Sequence, residues 1–570
     1  MIWWSALPAR ARDERAHLAE LAERVDWLDG VTWKIDGVRL LANFLILVGD
    51  TYVPLTLRYP DYFPDVPPSI SPTEDVRLSG HQWGKGGELC LEYRADNWVP
   101  TITGAMMVES AHRLLSGEDG EDVPPVPSAH RATLGQEVRS SFVRFALSAE
   151  AEAALKALPE GEITEAVLVE HKFGETWVGS LGRLGPKDSV LFTGPPALEG
   201  ATNYDAIAYR VPKAMPLLTK FNDETLPLAL EMYGLGEWLK AAREKKVGFA
   251  ILITDTDVVM PSFFVGEKFR ALDYQVVRIP LAEPRLPKGY DNMASAVVGI
   301  VGCGSVGSKL AASLARSGVS NFLLLDTDVF LPGNIVRNEL DLRAVAVNKT
   351  KALKHRITEI NADASVQLRT ILFGGQESAE NTASAMAALA KCDVVIDATA
   401  DADVFNLCAA VTKAERKPLI WGQVFGGGVG GLIAMARPDI DPPPQLARNQ
   451  ILGWYADQGV PWDLGIAAGG YDAERGSGPP LIASDAEVGI IAAHLAQMVV
   501  DRLLVRSPSG FDSPAYVLGF KAEWIFQGPF DTYPIQYIAE GVWGPAQEAN
   551  VAEDLTTFLS ELYPEVEGEG

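Results

Sequence analysis

The sequence predicts a multidomain protein of α/β and α+β class whose C-terminal half is a doubly wound parallel sheet. Length is the first reason: 570 residues amount to several domains at about 150 residues each. Composition is the second, with 47% apolar and 22% charged residues, an ordinary globular balance that excludes wholesale disorder. The third is a change of pattern near residue 296, after which buried-strand and helix signals alternate. These place an α+β domain at residues 1–140, a mixed α/β region at 141–289 and the doubly wound domain at 290–570.

In the first region, Ala11–Val25 has helical periodicity. Strand-like runs follow at Val31–Ile35, Val38–Val48 and Tyr52–Tyr59. Tyr59–Pro68 reads Y-P-D-Y-F-P-D-V-P-P, which no regular helix tolerates. Helical pattern returns at Thr103–Leu115, and the acidic, Pro- and Gly-containing Gly117–Pro127 predicts an exposed connection. In the middle region, strands are expected at Glu165–Lys172, Ser189–Thr193, Ala206–Val211 and Phe249–Thr254, with one helix over Leu226–Lys245. No catalytic motif occurs there, so it reads as a scaffold or spacer. The Pro-rich stretch Glu283–Gly289 marks the next boundary.

The last region opens with an apolar strand, Ala296–Val301, the run G-C-G-S-V-G and a helix at Val306–Ser317. Strands then follow at Phe322–Asp326, Val366–Arg369 and Asp393–Asp397. The helices are expected at Asn348–Asn361, Glu377–Leu389 and Glu487–Leu504, with Pro438–Pro480 as a loop and Glu565–Gly570 as a solvated acidic tail. A protein whose own C-terminal Gly570 is a substrate is the less economical reading of that tail.

Forty-nine basic against 75 acidic residues give a net charge of −26. That argues against nucleic acid or an anionic membrane as a partner, since phosphate neutralisation needs clustered Lys and Arg. The first twenty residues lack the apolar core of a signal peptide. The most apolar stretch, Val247–Gly266, is broken by Asp255 and Asp257, so the expectation is a soluble, cytoplasmic protein. Four cysteines, Cys90, Cys303, Cys392 and Cys408, are too few for a disulfide framework, and no C-x-x-C pair suggests zinc.

Gly302, Gly304 and Gly307 form G-x-G-x-x-G between a strand and a helix. Glycines there let the chain turn tightly and present amide N–H groups to a phosphate at the helix N-terminus. Asp326 ends the next strand, where a carboxylate can bind ribose hydroxyls. That much also fits a nicotinamide-binding protein. The following residues point elsewhere: Asp326, Asp328, Asn334 and Arg337 share one strand-and-loop segment, Lys349 heads the next helix and Asp397 begins D-A-T-A-D. A triphosphate site uses an Arg and Lys pair to offset charge as pyrophosphate leaves, with a carboxylate to carry Mg²⁺.

This constellation resembles the ubiquitin-activating superfamily, including its ThiF and MoeB members, in order and spacing over about 140 residues. The resemblance implies a Rossmann-like adenylation domain that uses ATP and Mg²⁺ to activate a protein's C-terminal glycine. By position, Gly302, Gly304, Gly307, Asp326 and Asp328 would hold the nucleotide, Asp326 through its ribose. Asn334, Arg337 and Lys349 would contact phosphates, the last two as catalytic groups, and Asp397 would hold the metal. Homodimerisation is implied in the same way.

The order Y-P, F-P-D-V-P-P, His81, G-G-E-L-C-L around Cys90, and then Trp98-Val99-Pro100 resembles the ubiquitin-conjugating fold. The resemblance implies that Cys90 carries a thioester. The family's H-P-N is represented by His81-Gln82-Trp83, which puts Gln82 in the Asn position, where an amide could donate to an oxyanion; the alternative is that His81 and Gln82 are ordinary loop residues packing against Trp83. Both ends together resemble the conjugating–activating fusion enzymes of bacterial antiphage (CBASS) operons. The implied acyl partner is a ubiquitin-like protein or a cGAS-like nucleotidyltransferase with a C-terminal glycine, and the acceptor is an amine on a target protein.

The activating domain's own transfer cysteine has no counterpart. Cys303, Cys392 and Cys408 read as packing residues, and the family's position shortly before the Glu487–Leu504 helix is Ala483. Either a cysteine has been replaced there, or the adenylate passes directly to Cys90. Two rival functions remain open at this point. One is a MoeB- or ThiF-like activator of a sulfur carrier with a non-catalytic N-terminal domain, and the other is a nicotinamide-binding regulator.

Overall fold

The computed structural model describes all residues except 1, 84–85, 118–134, 136–137, 140, 196, 198–199, 219–220, 280–285, 460–481, 506–507, 546–549 and 564–570. The acidic connection after Gly117 and the acidic tail therefore lie outside the described residues, as do residues 283–285 of the Pro-rich boundary and 460–480 of the expected loop. The chain divides into two compact units, Met1–Gly194 with Ala201–Ile279, and Pro195–Gly200 with Pro280–Gly570.

The first unit begins with the short helix α1 (Trp3–Ala6) and α2 (Pro8–Arg24). An antiparallel meander of β1 (Leu28–Asp36), β2 (Arg39–Val48), β3 (Thr51–Arg58) and β4 (Ser69–Pro72) follows. Its apolar face, including Phe44, Ile46, Leu55 and Leu57, packs with Leu18 and Leu21 of α2 and with α3 (Gly104–Gly117). A buried carboxylate ties the layers together. Glu14 of α2 accepts hydrogen bonds from Tyr59 Oη (2.8 Å), the Gly104 amide that opens α3 (2.7 Å) and the Arg10 guanidinium (2.9 Å).

Beyond it the sheet is richer in strand than expected. β5 (Val143–Ser148), β6 (Ile163–Phe173), β7 (Thr176–Leu184), β9 (Thr202–Arg210), β10 (Val247–Ile253), β11 (Val258–Val265) and β12 (Phe269–Ile279) close into a ring, because β5 pairs with both β12 and β7. The strand expected over Ser189–Thr193 shrinks to β8 (Phe192–Thr193) on the edge of β7. Helix α4 (Ala149–Lys156) packs on the barrel. The single helix expected over Leu226–Lys245 is two, α5 (Thr225–Met232) and α6 (Gly236–Glu244). Gly234 between them has φ +76°, a left-handed conformation that no helix continues through. The V-G-F-A-I-L-I run of β10 is buried on both faces. Phe249, Ile251 and Ile253 face the barrel core, and Ala250 and Leu252 meet the helices.

In the second unit the parallel strands β13 (Val297–Val301), β14 (Asn321–Leu325), β15 (Ser365–Arg369), β16 (Val394–Asp397) and β17 (Leu419–Val424) are ordered β15-β14-β13-β16-β17. Antiparallel β18 (Gly430–Ala436), β19 (Ala515–Gly519) and β20 (Thr532–Ile535) extend the sheet. Helices α7 (Ser305–Arg316), α8 (Lys349–Ile360), α9 (Ala379–Leu389) and α10 (Ala402–Glu415) alternate with the strands, as the pattern predicts. The expected 438–480 loop contains a helix, α11 (Pro444–Asp457), started by its proline pair. Helix α12 (Asp485–Leu503) opens on a capping box in which Ser484 Oγ accepts the Glu487 amide and Glu487 accepts that of Ser484. Helix α13 (Val551–Leu562) buries none of its residues. Among the described residues no helix is long and apolar enough to cross a membrane.

Candidate functional site

β13 leads to β14 on one side and, after two crossovers, has β16 as its other neighbour. A crevice therefore opens between β13 and β16 at their C-terminal ends, where doubly wound sheets bind ligands. The chain leaves β13 through Gly302, whose φ of +90° only glycine adopts without strain. Gly304 is the N-cap of α7, with φ −73° and ψ −152°. A Cβ there would meet nothing within 4 Å, so open space faces the helix N-terminus. Gly307 serves packing. Its Cβ would stand 1.8 Å from the Gly302 carbonyl oxygen and 3.3 Å from Ala398 Cβ, which lets α7 start flush against the sheet.

Asp326 follows β14 and braces this loop. Its Oδ2 accepts the Cys303 amide at 2.8 Å and its Oδ1 the Asp328 amide at 2.7 Å. Burial raises the Asp326 carboxyl above the usual range, opposed by these amides and by the Lys349 charge. Lys349, at the first position of α8, is itself buried and pairs with Asp328 at 2.6 Å (Nζ to Oδ2). A positive charge thus stands beside the phosphate loop, held on a neighbouring carboxylate. Asn334 and Arg337 occupy one 3₁₀ turn, Pro332–Arg337, where Asn334 Oδ1 accepts the Leu331 amide at 2.9 Å. Asp397 ends β16 opposite Val301. Thr399 donates to its Oδ1 through Oγ1 (2.6 Å) and its amide (2.9 Å). Burial, with Asp401 adding to it, pushes the Asp397 carboxyl up to about 6 despite those bonds and Arg448.

Gly302, Gly304, Gly307, Asp326 and Asp397 therefore gather at the ends of β13, β14 and β16, with Lys349 and Asp328 beside them, while Asn334 and Arg337 lie on the turn between β14 and α8. The open space at Gly304 and the lysine beside it fit a polyphosphate. Among the described residues no cluster of three or more His, Cys, Asp or Glu could hold a metal alone. A single buried carboxylate suits Mg²⁺ that is held mostly by phosphates and water, so Asp397 fits that ion. Sequence reasoning missed Arg448 and Phe405. They sit on two helices, and no local motif links them.

Cys90 lies in an irregular loop after β4, partly buried, its amide donating to the His81 carbonyl at 2.7 Å. Burial pushes its thiol pKa up, with Glu88 adding to the effect and Arg94 opposing it. The structure corrects the expectation for Gln82. That side chain is 2% exposed, and its Nε2 donates to the Val76 and Gly87 carbonyls (3.0 and 3.1 Å) while Oε1 accepts the Leu78 amide (2.7 Å). Both amide hydrogens are used in fastening the loop, so none is left for an oxyanion.

Cys303, Cys392 and Cys408 are buried, as their packing role requires. Ala483 directly precedes the Ser484 cap, is 5% exposed and belongs to the core shared by α7, α12 and the sheet. A sulfur at that position would face the core.

Residues 280–440 match the ThiF family. An ATP-dependent ubiquitin transferase-like protein Cap2 of Enterobacter hormaechei is 36% identical over 161 residues, 28% of this chain and 26% of that protein. The chain thus spans about a quarter of that relative's length. The Cap2 protein of Pseudomonas aeruginosa is 25% identical over 205 residues, covering 34% and 36%. An uncharacterized Sinorhizobium fredii protein, y4qC, is 24% identical over 439 residues, covering 68% of this chain and 71% of its own. Of solved structures, the crystal structure of SeMet PaaA overlaps with a TM-score of 0.34 at 18% identity, over 44% of this chain and 75% of that one. That likeness is too slight to bear on mechanism.

Proposed function

We propose that this chain, whose second unit carries a ThiF-family domain, adenylates the C-terminal glycine of a ubiquitin-like protein or a cGAS-like nucleotidyltransferase and transfers it through Cys90 to a target amine. The observation that carries the reading is the open space at Gly304, framed by the α7 N-terminus, Asp326 and the stored Lys349 charge. A carboxylate oxygen of the donor attacks the α-phosphorus of ATP, and pyrophosphate leaves with the bonding electrons. The loop amides and Lys349, released from Asp328, offset the charge that develops on the leaving group. Arg337 on the neighbouring turn adds a second cation. Mg²⁺ bound at Asp397 would supply Lewis-acid charge to the phosphates.

In the second step the Cys90 sulfur attacks the acyl carbonyl and AMP leaves. A thiol whose pKa is raised rests protonated, so its proton must depart as the thioester forms. The burial of Ala483 supports direct delivery to Cys90 rather than an intermediate thiol on the activating domain. The antiphage setting, Mg²⁺ use and a homodimer are part of the same proposal.

The test is acyl-donor-dependent exchange of labelled pyrophosphate into ATP, followed by mass spectrometry of Cys90 after incubation with ATP and the products of neighbouring genes. The adduct should be thiol-labile and absent in Cys90→Ser, which should still exchange pyrophosphate. Exchange without any Cys90 adduct would favour the sulfur-carrier activator instead. Stabilisation by NAD but not by Mg·ATP would overturn both.

A further inference from the structure

Close enough to Asp397 for its charge to be felt there stands a cation that has no ion-pair partner among the described residues. Asp397 is paired in register with Trp421 of β17. The Trp421 ring packs edge-on against Phe405 of α10, centroids 5.3 Å apart. The Arg448 guanidinium, one turn into α11, lies over the Phe405 ring at 4.7 Å. Phe405, Trp421 and the α11 residues Ala447 and Ile451 share one buried cluster, so the platform beneath Arg448 is part of the core. Among the described residues Arg448 has no carboxylate within ion-pair distance. Asp397 feels its charge without being bonded to it. A guanidinium seated over an aromatic ring, with no carboxylate to satisfy it, can offer its fork of N–H donors to a planar, two-oxygen partner.

The strand order separates the duties. The phosphate loop follows β13 and Lys349 follows β14, on one side of β16, while Arg448 stands over Phe405 of α10, the helix that follows β16. We propose that Arg448 is the receptor for the terminal carboxylate of the acyl donor, placing it between Asp397 and the Phe405 platform and in line with the α-phosphorus. This rests on the adenylation reading above. In that step one carboxylate oxygen forms the bond to phosphorus while the bond to the pyrophosphate oxygen breaks. Arg448 holds the oxygen that remains as the acyl carbonyl, and the guanidinium keeps all its protons.

The probes are Mg·ATP and 5′-O-[N-(N-acetylglycyl)sulfamoyl]adenosine, a stable mimic of a glycine adenylate, titrated by calorimetry into the full chain. Arg448→Met preserves the apolar stem over Phe405 and removes the charge. It should weaken the mimic at least tenfold and leave ATP within twofold, with an unchanged melting temperature. Arg448→Lys should recover part of the loss. Equal weakening of both ligands would make Arg448 a general phosphate contact and overturn the assignment, as would no change in either. If the unaltered chain binds neither ligand, the adenylation reading itself falls and takes the assignment with it.

Discussion

The two later glycines of the phosphate loop do opposite work, and this can be tested by giving each a single methyl. Gly307→Ala places a carbon 1.8 Å from the Gly302 carbonyl oxygen, where an ordinary contact is 3.4 Å or more, so α7 must withdraw by roughly the 1.6 Å difference. The obstructing atom is backbone, and Gly302 at φ +90° has little freedom to yield. Overpacking of this kind costs about 1–3 kcal/mol, or ~2–10 °C in melting temperature for a unit of this size. Gly304→Ala meets no atom within 4 Å, and its φ of −73° suits alanine, so stability should not change measurably. Its methyl does occupy the space through which a phosphate must approach the amides. Losing one or two charge-assisted hydrogen bonds at about 1.5–3 kcal/mol each weakens ATP binding at least tenfold. Thermal melting and calorimetric titration with Mg·ATP read both effects. A stable Gly307→Ala, or a Gly304→Ala that keeps full ATP affinity, would refute the division of labour.

Three other outcomes follow from named contacts. Since burial raises Asp397 to about 6, Mg-dependent ATP affinity should rise as pH increases through that value. Stability runs the other way: because the folded pKa exceeds the ordinary 3.8, it falls as pH rises from about 4 to about 6 and levels off above. Asp397→Asn should abolish the pH step in affinity, measured from pH 5 to 8. Glu14→Ala leaves Tyr59 Oη and the Gly104 amide without their acceptor and Arg10 with only the Ile102 carbonyl. Removing one side of such a buried pair costs about 3–5 kcal/mol, visible as an earlier urea transition in tryptophan fluorescence. Gln82→Ala deletes three hydrogen bonds that fasten the Cys90 loop. Alkylation of Cys90 should become faster while pyrophosphate exchange is unaffected; an unchanged alkylation rate would place the loop's order elsewhere.

How much was legible beforehand depended on range along the chain. The strand–glycine–helix unit, the carboxylate after β14 and the lysine opening α8 were determined by the sequence itself. Their conformations are set by contiguous residues: an apolar run, a glycine able to take φ +90°, and a helix whose first amides need an acceptor. The first three strands of the N-terminal meander and α3 were legible for the same reason, whereas the four-residue β4, bounded by prolines, was not. Where pairing joins distant residues, only the tertiary structure decided. It closed β5 onto β7 and β12, split the helix at Gly234, and placed α11 inside an expected loop. It also used up both hydrogens of the Gln82 amide, sealed Ala483 into the core and stood Arg448 over Phe405 beside Asp397. A motif states which groups are present. Whether an amide is free, a side chain reachable or a charge unpaired depends on what the rest of the fold brings against it.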